Sequence, residues 1–275
     1  MTVAASPLIF TDLDGTLLDH HDYSVAAAQP VLHKLAEAGI PVIPNTSKTR
    51  AEVMQIREQL ALTSPFIVEN GAAVYLPVEH WPHAPAGCTE HHGLYCKAFS
   101  RPRSFWLGQL SQLDSSFDGL FRHFATMTVA QVCDATGLSV QQAQLAQQRE
   151  FGEPIEWLGN DSQKRDFIQA LHALGTQPVE GGRFIHLKGQ TNKGDAMQWL
   201  LGEYQRNWPA QQWYSIALGD GQNDAQMLEQ ADYAVRIASP VNPLPEISTQ
   251  KPVLTSSAYG PAGWAECVEK LIFTA

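Results

Sequence analysis

The chain has 275 residues and a formal net charge of −10, with 44% hydrophobic and 17% charged residues. This length exceeds that of a usual single domain, so we expect one core that carries a sizeable insertion. The composition excludes a disordered chain, and the acidic balance argues against nucleic acid or an anionic membrane surface as a partner. An anionic ligand would therefore need local positive charge, from a metal ion or from a few placed cations.

Targeting segments are not expected. The sequence contains no apolar run near the roughly 18 residues that cross a bilayer. The residues ahead of Leu8-Ile9-Phe10 lack the positive segment of a secretory signal, so we expect a cytoplasmic protein. The four cysteines have no Cys-x-x-Cys spacing, and we expect free thiols.

The first part of the chain alternates predicted strands and helices. The apolar run Leu8–Asp12 is typical of a strand that is buried on both faces. A helix is predicted to begin at Pro30 and to end at Gly39, and Ile40–Ile43 is the next strand. The capping box Thr49–Glu52 begins a second helix. This alternation predicts a parallel sheet with the first strand near its centre.

A β-hairpin is predicted next, because Phe66–Glu69 and Ala72–Leu76 flank the two-residue turn Asn70-Gly71. Several prolines follow from Pro77 onward, ahead of a segment rich in Gln, His and aromatic residues. We therefore predict an insertion here. The predicted domains are a catalytic core of residues 1–84 and 190–275 and an inserted α/β cap domain of residues 85–189.

The last part of the chain returns to alternating elements. They are predicted as a helix (Asn192–Tyr204), a strand (Ser215–Gly219), a helix (Ala225–Glu229), a strand (Tyr233–Ile237) and a closing helix from Pro261. The whole pattern indicates an α/β protein.

Two acidic motifs follow predicted strands. Asp12-Leu13-Asp14-Gly15-Thr16 ends the first strand, and Gly219–Asp224 ends a later one. Open α/β sheets bind ligands at the carboxyl ends of their strands. Residues two apart in an extended segment point the same way, so Asp12 and Asp14 can face one reacting centre. Clustered carboxylates repel each other, which implies Mg²⁺, a shared proton, or both.

A surface Asp-Gly turn is the alternative interpretation of the first motif. The second motif argues against it, because both motifs in this order are expected by chance in about 1 in 100,000 chains of this length. An EF-hand calcium loop does not fit, since the third oxygen ligand and the sixth-position glycine are missing.

Thr46 and Lys193 are candidate phosphate ligands. Thr46 follows the second strand, where its hydroxyl and the neighbouring amides can hold phosphate oxygens, although a helix N-cap is the alternative role. Lys193 starts a predicted helix, where a cation opposes the helix dipole and therefore calls for an anionic partner. A solvated surface lysine is the alternative there.

Together these motifs resemble those of the haloacid dehalogenase superfamily of phosphatases. The resemblance implies a Rossmann-like three-layer core with a parallel central sheet plus an inserted α/β cap. It implies that Asp12 attacks phosphorus to give an aspartyl-phosphate, and that Asp14 protonates the leaving alkoxide and then deprotonates the water. It also implies that Mg²⁺ is held by Asp12, the Asp14 carbonyl, Asp220 and Asp224. The implied phosphate ligands are Thr46, Ser47, Lys193 and Asn223.

Within the superfamily the chain is similar to the mannosyl-3-phosphoglycerate phosphatases over nearly its whole length. The similarity is carried by Thr46–Thr49, Glu69–Ala72, Arg149–Pro154 and Gly181–Leu187. It implies a small phosphorylated sugar or sugar-glycerate as substrate, with Mg²⁺ as the cofactor. In the cap domain, Arg183 or Lys188 is predicted to pair with the glycerate carboxylate, and Glu150 or Glu153 to accept sugar hydroxyls. Surface salt bridges are the alternative for these residues.

Two other functions stay open from the sequence. One is a different sugar-phosphate phosphatase or a phosphomutase of the same superfamily, and the other is a non-catalytic phosphosugar-binding module. The intact carboxylates argue against a binding module, since binding alone needs no proton-transfer group. The sequence leaves open whether the protein is a monomer or a homodimer.

Overall fold

A computed structural model describes residues 5–181 and 183–274, which contain thirteen strands and nine α-helices. The strands are β1 (Ser6–Thr11), β2 (Val42–Pro44), β3 (Phe66–Val68), β4 (Ala73–Pro77), β5 (Thr89–His91), β6 (Leu94–Ala98), β7 (Phe121–His123), β8 (Gly152–Trp157), β9 (Val179–Gly181), β10 (Phe184–Lys188), β11 (Trp213–Gly219), β12 (Tyr233–Ala238) and β13 (Val253–Tyr259). The helices are α1 (Gln29–Glu37), α2 (Arg50–Gln59), α3 (Arg103–Leu110), α4 (Val129–Thr136), α5 (Val140–Ala146), α6 (Asp161–Ala173), α7 (Lys193–Asn207), α8 (Ala225–Gln230) and α9 (Gly260–Ile272).

Two expectations fall on residues outside the described ranges. They are the absence of a secretory signal, as far as it concerns residues 1–4, and the Gly182 position of the Gly181–Leu187 resemblance. Among the described helices, none combines the length and the hydropathy that a membrane crossing requires. The free cysteines are Cys88, Cys96, Cys133 and Cys267, as predicted.

The chain divides into two compact units, and the first comprises the residues up to 47, residues 61–97 and the residues from 192 onward. Its main sheet has the strand order β13-β12-β11-β1-β2, and every neighbouring pair is parallel. The predicted parallel sheet is therefore confirmed, with β1 paired on both sides. A second sheet in this unit has the order β3-β4-β6-β5.

Helices cover both faces of the main sheet. On one face, Leu8 and Phe10 of β1 pack in a buried cluster with Met197 and Leu200 of α7 and with Met227 at the start of α8. On the other face, the fully buried Trp264 of α9 donates its indole N–H to the Thr11 hydroxyl over 3.1 Å. Side chains alternate along a strand, so neighbouring residues of β1 reach opposite helix layers. This is the predicted three-layer α/β core.

Local signals in the sequence predict several element ends correctly. Helix α1 has Pro30 in its first turn and is followed by Gly39 in the left-handed region, with φ +66°. The Thr49 side chain accepts from the Glu52 amide, and the Glu52 carboxylate accepts from the Thr49 amide, so the predicted capping box is present before α2. The parallel edge strand β13 was not predicted.

The predicted hairpin is present, but the prediction of a two-residue turn is wrong. Strands β3 and β4 pair antiparallel, with Val68 opposite Ala73, which leaves four residues in the connection. Three of them in succession have positive φ: Glu69 at 49°, Asn70 at 57° and Gly71 at 84°. Other contacts of this connection, described below, hold it in this longer form.

The second unit comprises residues 48–60 and 98–191. Its sheet is antiparallel with the order β7-β8-β10-β9. Helices α3 and α6 cover one face, where Trp106, Phe167 and Leu171 pack against Ile155 and Ile185. The unit is thus α/β, but its bounds differ from those of the predicted cap domain. Strands β5 and β6 belong to the first unit, and residues 48–60 belong to the second.

Candidate active site

Asp12 lies at the carboxyl edge of the main sheet. Thr11, the last residue of β1, is level with Leu218 of β11 and with Pro44 of β2. The Asp12 amide donates to the Leu218 carbonyl over 2.9 Å, which continues the β1–β11 ladder by one residue. Three strand ends therefore meet at this edge, and the motifs that follow them converge there.

Lys193 is fully buried and contacts two carboxylates. It is the first residue of α7, whose N-cap Asn192 accepts from the Asp195 amide. Its ammonium lies 2.7 Å from Asp12 Oδ1 and 2.6 Å from Asp224 Oδ1. Burial alone would lower the pKa of Lys193, but the two carboxylates outweigh it and hold the pKa above its ordinary value. The lysine is therefore charged, and it is not a solvated surface residue.

Asp220 and Asp224 are held in place by short polar contacts. Asp220 Oδ1 accepts from the Thr16 hydroxyl over 3.0 Å, and Oδ2 accepts from the Asn242 side-chain amide over 3.2 Å. Asp224 Oδ2 accepts from the Gly221 main-chain amide over 3.0 Å. The sequence predicts both aspartates but not Thr16 and Asn242 as the partners of Asp220. Thr16 is the last residue of the first motif, whereas nothing in the sequence marks Asn242.

The residues Asp12, Asp220 and Asp224, here called the acidic cluster, are all buried and have carboxylate oxygens within 4.8 Å of one another. Burial raises the pKa of Asp220 and of Asp224, and the Asp12 charge raises both further, while Lys193 opposes the rise. Three carboxylates thus face one ammonium, and a further cation would relieve their repulsion.

This donor set fits Mg²⁺, a hard cation that prefers carboxylate and carbonyl oxygens. The three carboxylates of the acidic cluster supply such oxygens at one place, as the predicted metal site requires. The Asp14 main-chain carbonyl is the fourth predicted ligand, and Asp14 itself is half-buried.

Gly15 allows the first motif to approach Asp220 closely. Its φ is +74°, and a Cβ at this position would lie 2.6 Å from Asp220 Oδ2. A larger residue would be strained and would also displace a residue of the acidic cluster.

The connection between β3 and β4 links the remaining predicted phosphate ligands. The Asn70 amide donates to the carbonyl of the buried Thr46 over 2.9 Å. The Asn70 side-chain oxygen accepts from the amide of the exposed Asn223 over 3.3 Å. Ser47, half-buried, directly follows Thr46. Residues held at positive φ store strain, and such strain is found mostly at functional sites.

Gly71 packs directly against the residue that precedes Lys193. A Cβ on Gly71 would lie much closer to the Asn192 carbonyl oxygen than van der Waals contact allows, at a φ of +84°. Gly39 has a similar φ of +66°, but a Cβ there would meet no atom within 4 Å. Comparing an alanine substitution at each of these two glycines therefore separates the effect of backbone strain from the effect of a clash.

We expect Gly71→Ala to destabilise the protein by about 3 kcal/mol or more, because strain and a backbone clash add. Gly39→Ala should cost only about 1 kcal/mol, from strain alone. Urea unfolding of both variants measures the difference. The Gly71 variant should also lose activity, since its clash displaces the start of α7, and equal stability losses would contradict the close approach.

The four residues predicted to bind the sugar-glycerate all lie in the second unit. Glu150 pairs with Arg50, whose Nε and Nη2 both lie 2.8 Å from Glu150 Oε1. The exposed Arg183 donates to the Thr136 carbonyl over 3.0 Å. The half-buried Lys188 donates to the Thr191 carbonyl over 3.2 Å, and burial lowers its pKa.

Glu153 is buried and makes several polar contacts within the second unit. Its side chain is inaccessible to solvent, and Arg103 donates to its Oε2. Its Oε1 accepts from the Ala125 amide over 2.7 Å and lies 2.8 Å from His123 Nδ1. Burial acts to raise the pKa of Glu153, but these partners outweigh it and leave the pKa below its ordinary value. Both oxygens have partners, so Glu153 could accept a sugar hydroxyl only by exchanging one of these contacts.

We expect Glu153→Gln to destabilise the second unit by about 3 kcal/mol at pH 7, because it leaves Arg103 without its buried counter-charge. The folded-state pKa is lowered, so the stabilisation by Glu153 is complete above the ordinary glutamate pKa of about 4.3 and is lost as the pH falls below it. Urea unfolding of variant and wild type should therefore converge towards acid pH. A gap that does not change with pH would contradict the ionised pair.

The parallel sheet, the acidic cluster at its carboxyl edge and the buried lysine are features of the haloacid dehalogenase-like hydrolases. A sequence profile of that family, haloacid dehalogenase-like hydrolase, matches residues 9–82. The chain is 32% identical over 265 residues to a glucosyl-3-phosphoglycerate/mannosyl-3-phosphoglycerate phosphatase of Methanococcoides burtonii, covering 96% of this chain and 97% of the relative. A protein of the same description from Persephonella marina is 33% identical over 272 residues, with the same coverage.

Solved structures share the fold. A haloacid dehalogenase-like hydrolase from Bacteroides thetaiotaomicron matches with a TM-score of 0.65 and 15% identity, covering 98% of this chain and 100% of that one. The sucrose-phosphatase from Synechocystis matches with a TM-score of 0.57 and 16% identity, covering 99% and 100%. The chain belongs to the haloacid dehalogenase-like hydrolases, and it is a phosphoric monoester hydrolase.

Proposed function

We propose that the protein hydrolyses the phosphomonoester of mannosyl-3-phosphoglycerate to mannosylglycerate and phosphate, with Asp12 as the nucleophile. The chemistry is supported above all by the fully buried Lys193, held 2.7 Å from Asp12. The substrate is supported by two relatives, matched over nearly their whole length, that are described as phosphatases of glucosyl- and mannosyl-3-phosphoglycerate.

In the first step an Asp12 carboxylate oxygen attacks phosphorus, and the bond from phosphorus to the glycerate oxygen breaks. Asp14, two residues further along, donates a proton to that oxygen as it leaves. Lys193 contacts Asp12 Oδ1 directly and so orients the nucleophile, and its charge offsets the charge of the phosphoryl group. Thr46, Ser47 and Asn223 donate hydrogen bonds to the phosphoryl oxygens.

In the second step water attacks the phosphorus of the aspartyl-phosphate. Asp14, now deprotonated, takes the proton of that water, and the bond to Asp12 breaks. Phosphate leaves and both carboxylates return to their starting state. One carboxylate thus serves as acid and then as base, and no proton is gained or lost by the enzyme over the cycle.

Mg²⁺ would be held by Asp12, the Asp14 carbonyl, Asp220 and Asp224, and when bound it supplies positive charge that offsets the phosphate and the nucleophile. Thr16 and Asn242 orient the Asp220 carboxylate towards this role by occupying one oxygen each.

Substrate selection is assigned to the second unit. Arg183 or Lys188 would pair with the glycerate carboxylate, and Glu150 would accept sugar hydroxyls, which requires each of them to exchange a present contact for the substrate. We also propose that the protein is cytoplasmic and that it binds neither nucleic acid nor a membrane.

A substrate panel tests the proposal. Phosphate release is measured with mannosyl-3-phosphoglycerate, glucosyl-3-phosphoglycerate, simple sugar phosphates and an aryl phosphate, with Mg²⁺ and with a chelator. We expect the mannosyl compound to give the highest kcat/KM and the chelator to abolish release. A higher kcat/KM for simple sugar phosphates would overturn the substrate, and isomer formation without free phosphate would indicate a mutase.

A further inference from the structure

A buried side-chain amide contacts the main chain of Lys193. Asn45 is fully buried, and its amide nitrogen donates to the Lys193 main-chain carbonyl over 3.0 Å. The same nitrogen lies 3.1 Å from the Met227 sulfur of α8. One side chain therefore touches the helix that carries Lys193 and the helix that follows Asp224.

The main chain of Asn45 is fixed from both sides. Its amide donates to the Thr11 carbonyl over 2.8 Å, next to the nucleophile, and the residue forms a parallel bridge with Ile67 of β3. The side chain is thus presented from rigid backbone in the middle of the first unit. The contact with Lys193 joins the segment that follows β2 to the first residue of α7.

An asparagine side chain at this buried position is unfavourable for the free energy of folding. The Lys193 carbonyl is an acceptor, so the amide nitrogen must face it, and the amide oxygen then points elsewhere. Within the described part of the chain this buried oxygen has no hydrogen-bond partner. A buried polar atom left unsatisfied opposes folding, so an apolar residue would suit packing better, and the amide calls for a role other than stability.

We propose that Asn45 is a positioning residue that fixes Lys193 between Asp12 and Asp224. Met197 and Leu200 of α7 pack against the sheet through apolar contacts, and such contacts are not directional. A hydrogen bond is directional, and this one is made at the residue whose ammonium must stay within 2.7 Å of Asp12 Oδ1. The inference rests on the role of Lys193 in the proposed function.

A double-mutant cycle tests this role, with phosphate release from an aryl phosphate as the assay. Asn45→Ala should lower kcat about tenfold, because a small displacement of a catalytic group is costly. Lys193→Arg keeps the charge but already displaces it, so adding Asn45→Ala should lower kcat less than twofold further. A residue that acts only through packing would lower kcat by the same factor in both backgrounds.

Met227→Leu is the matched control, because it removes the other contact of the Asn45 amide and leaves the Lys193 carbonyl alone. Its kcat should stay within twofold of the wild type. Circular dichroism shows whether each variant is folded, and if Asn45→Ala is not, the cycle is run with Asn45→Leu, which is similar in shape and removes the donor without adding a charge. A folded Asn45 variant with wild-type kcat, or equal losses in both backgrounds, would overturn the proposal.

The assay separates this inference from the proposed function. An aryl phosphate needs no sugar recognition, so failure of mannosyl-3-phosphoglycerate as the substrate would leave the cycle interpretable. If Lys193→Arg and Lys193→Met both kept wild-type activity, the proposed role of Lys193 would fail first. If these variants are impaired and the cycle is additive, Lys193 keeps its role and Asn45 alone is excluded.

Discussion

Asp12→Asn is expected to lower phosphate release by about 10³-fold or more. The substitution removes the attacking carboxylate and one charged oxygen of the acidic cluster together. A carboxamide of the same shape can still lie beside Lys193, so the loss should appear in turnover with the fold retained. Steady-state release from the preferred substrate with Mg²⁺ measures it, and activity within tenfold of the wild type would contradict a nucleophilic role.

Asp22→Asn provides the matched control for this variant. Asp22 is an exposed carboxylate of the same part of the chain, with a local contact to the Ser24 amide. Its activity should stay within twofold of the wild type. The positive counterpart is a covalent phosphate on Asp12 in rapid-quench labelling. No label in an active wild-type enzyme would favour direct attack by water.

The second large effect is expected for Lys193→Met, which should lower kcat/KM by about 10³-fold. Methionine keeps an unbranched, apolar chain of similar length and removes the charge between Asp12 and Asp224. We also expect a loss of about 3 kcal/mol of stability at neutral pH without Mg²⁺, because two buried carboxylates lose their counter-charge.

Lys193→Arg is the control that keeps the charge, and it should recover most of the stability but little of the activity, since the position of the ammonium matters. Urea unfolding with and without Mg²⁺ completes the comparison. The cation should stabilise Lys193→Met more than the wild type, because it then offsets three unopposed carboxylates. Equal stabilisation of both proteins would argue that the cation binds away from the acidic cluster.

The sequence predicts several elements well because their signals are local. The apolar run before Asp12, the capping box before α2 and the lysine at the start of α7 each lie within a few neighbouring residues. Parallel pairing then brings strand ends to one edge, so two acidic motifs on two strands are enough to predict that they meet.

Contacts between distant residues are not predicted in this way. From the sequence alone, Glu153 is expected to be an exposed polar residue. In the structure it is buried with Arg103, fifty positions earlier, as its charged partner. Strand β6 follows a proline-rich stretch that favours a boundary, yet it pairs in the sheet of β4. Strand β13 is an edge strand with mostly exposed side chains, so it lacks the apolar run by which the other core strands are recognised.

The pairing of β1 with β11 also determines how late in synthesis the first strand can take its place in the sheet. Ser6 is level with Trp213, so more than two hundred residues must be synthesised before this partner of the first strand exists. By then every strand of the second unit's sheet has been translated, since β10 ends at Lys188. Pairing over such a separation is slow and leaves apolar strand surface exposed meanwhile. A nascent chain that ends before Trp213 would carry the nucleophile at the end of β1, while β11, one of the two strands that pair with β1, has not yet been synthesised.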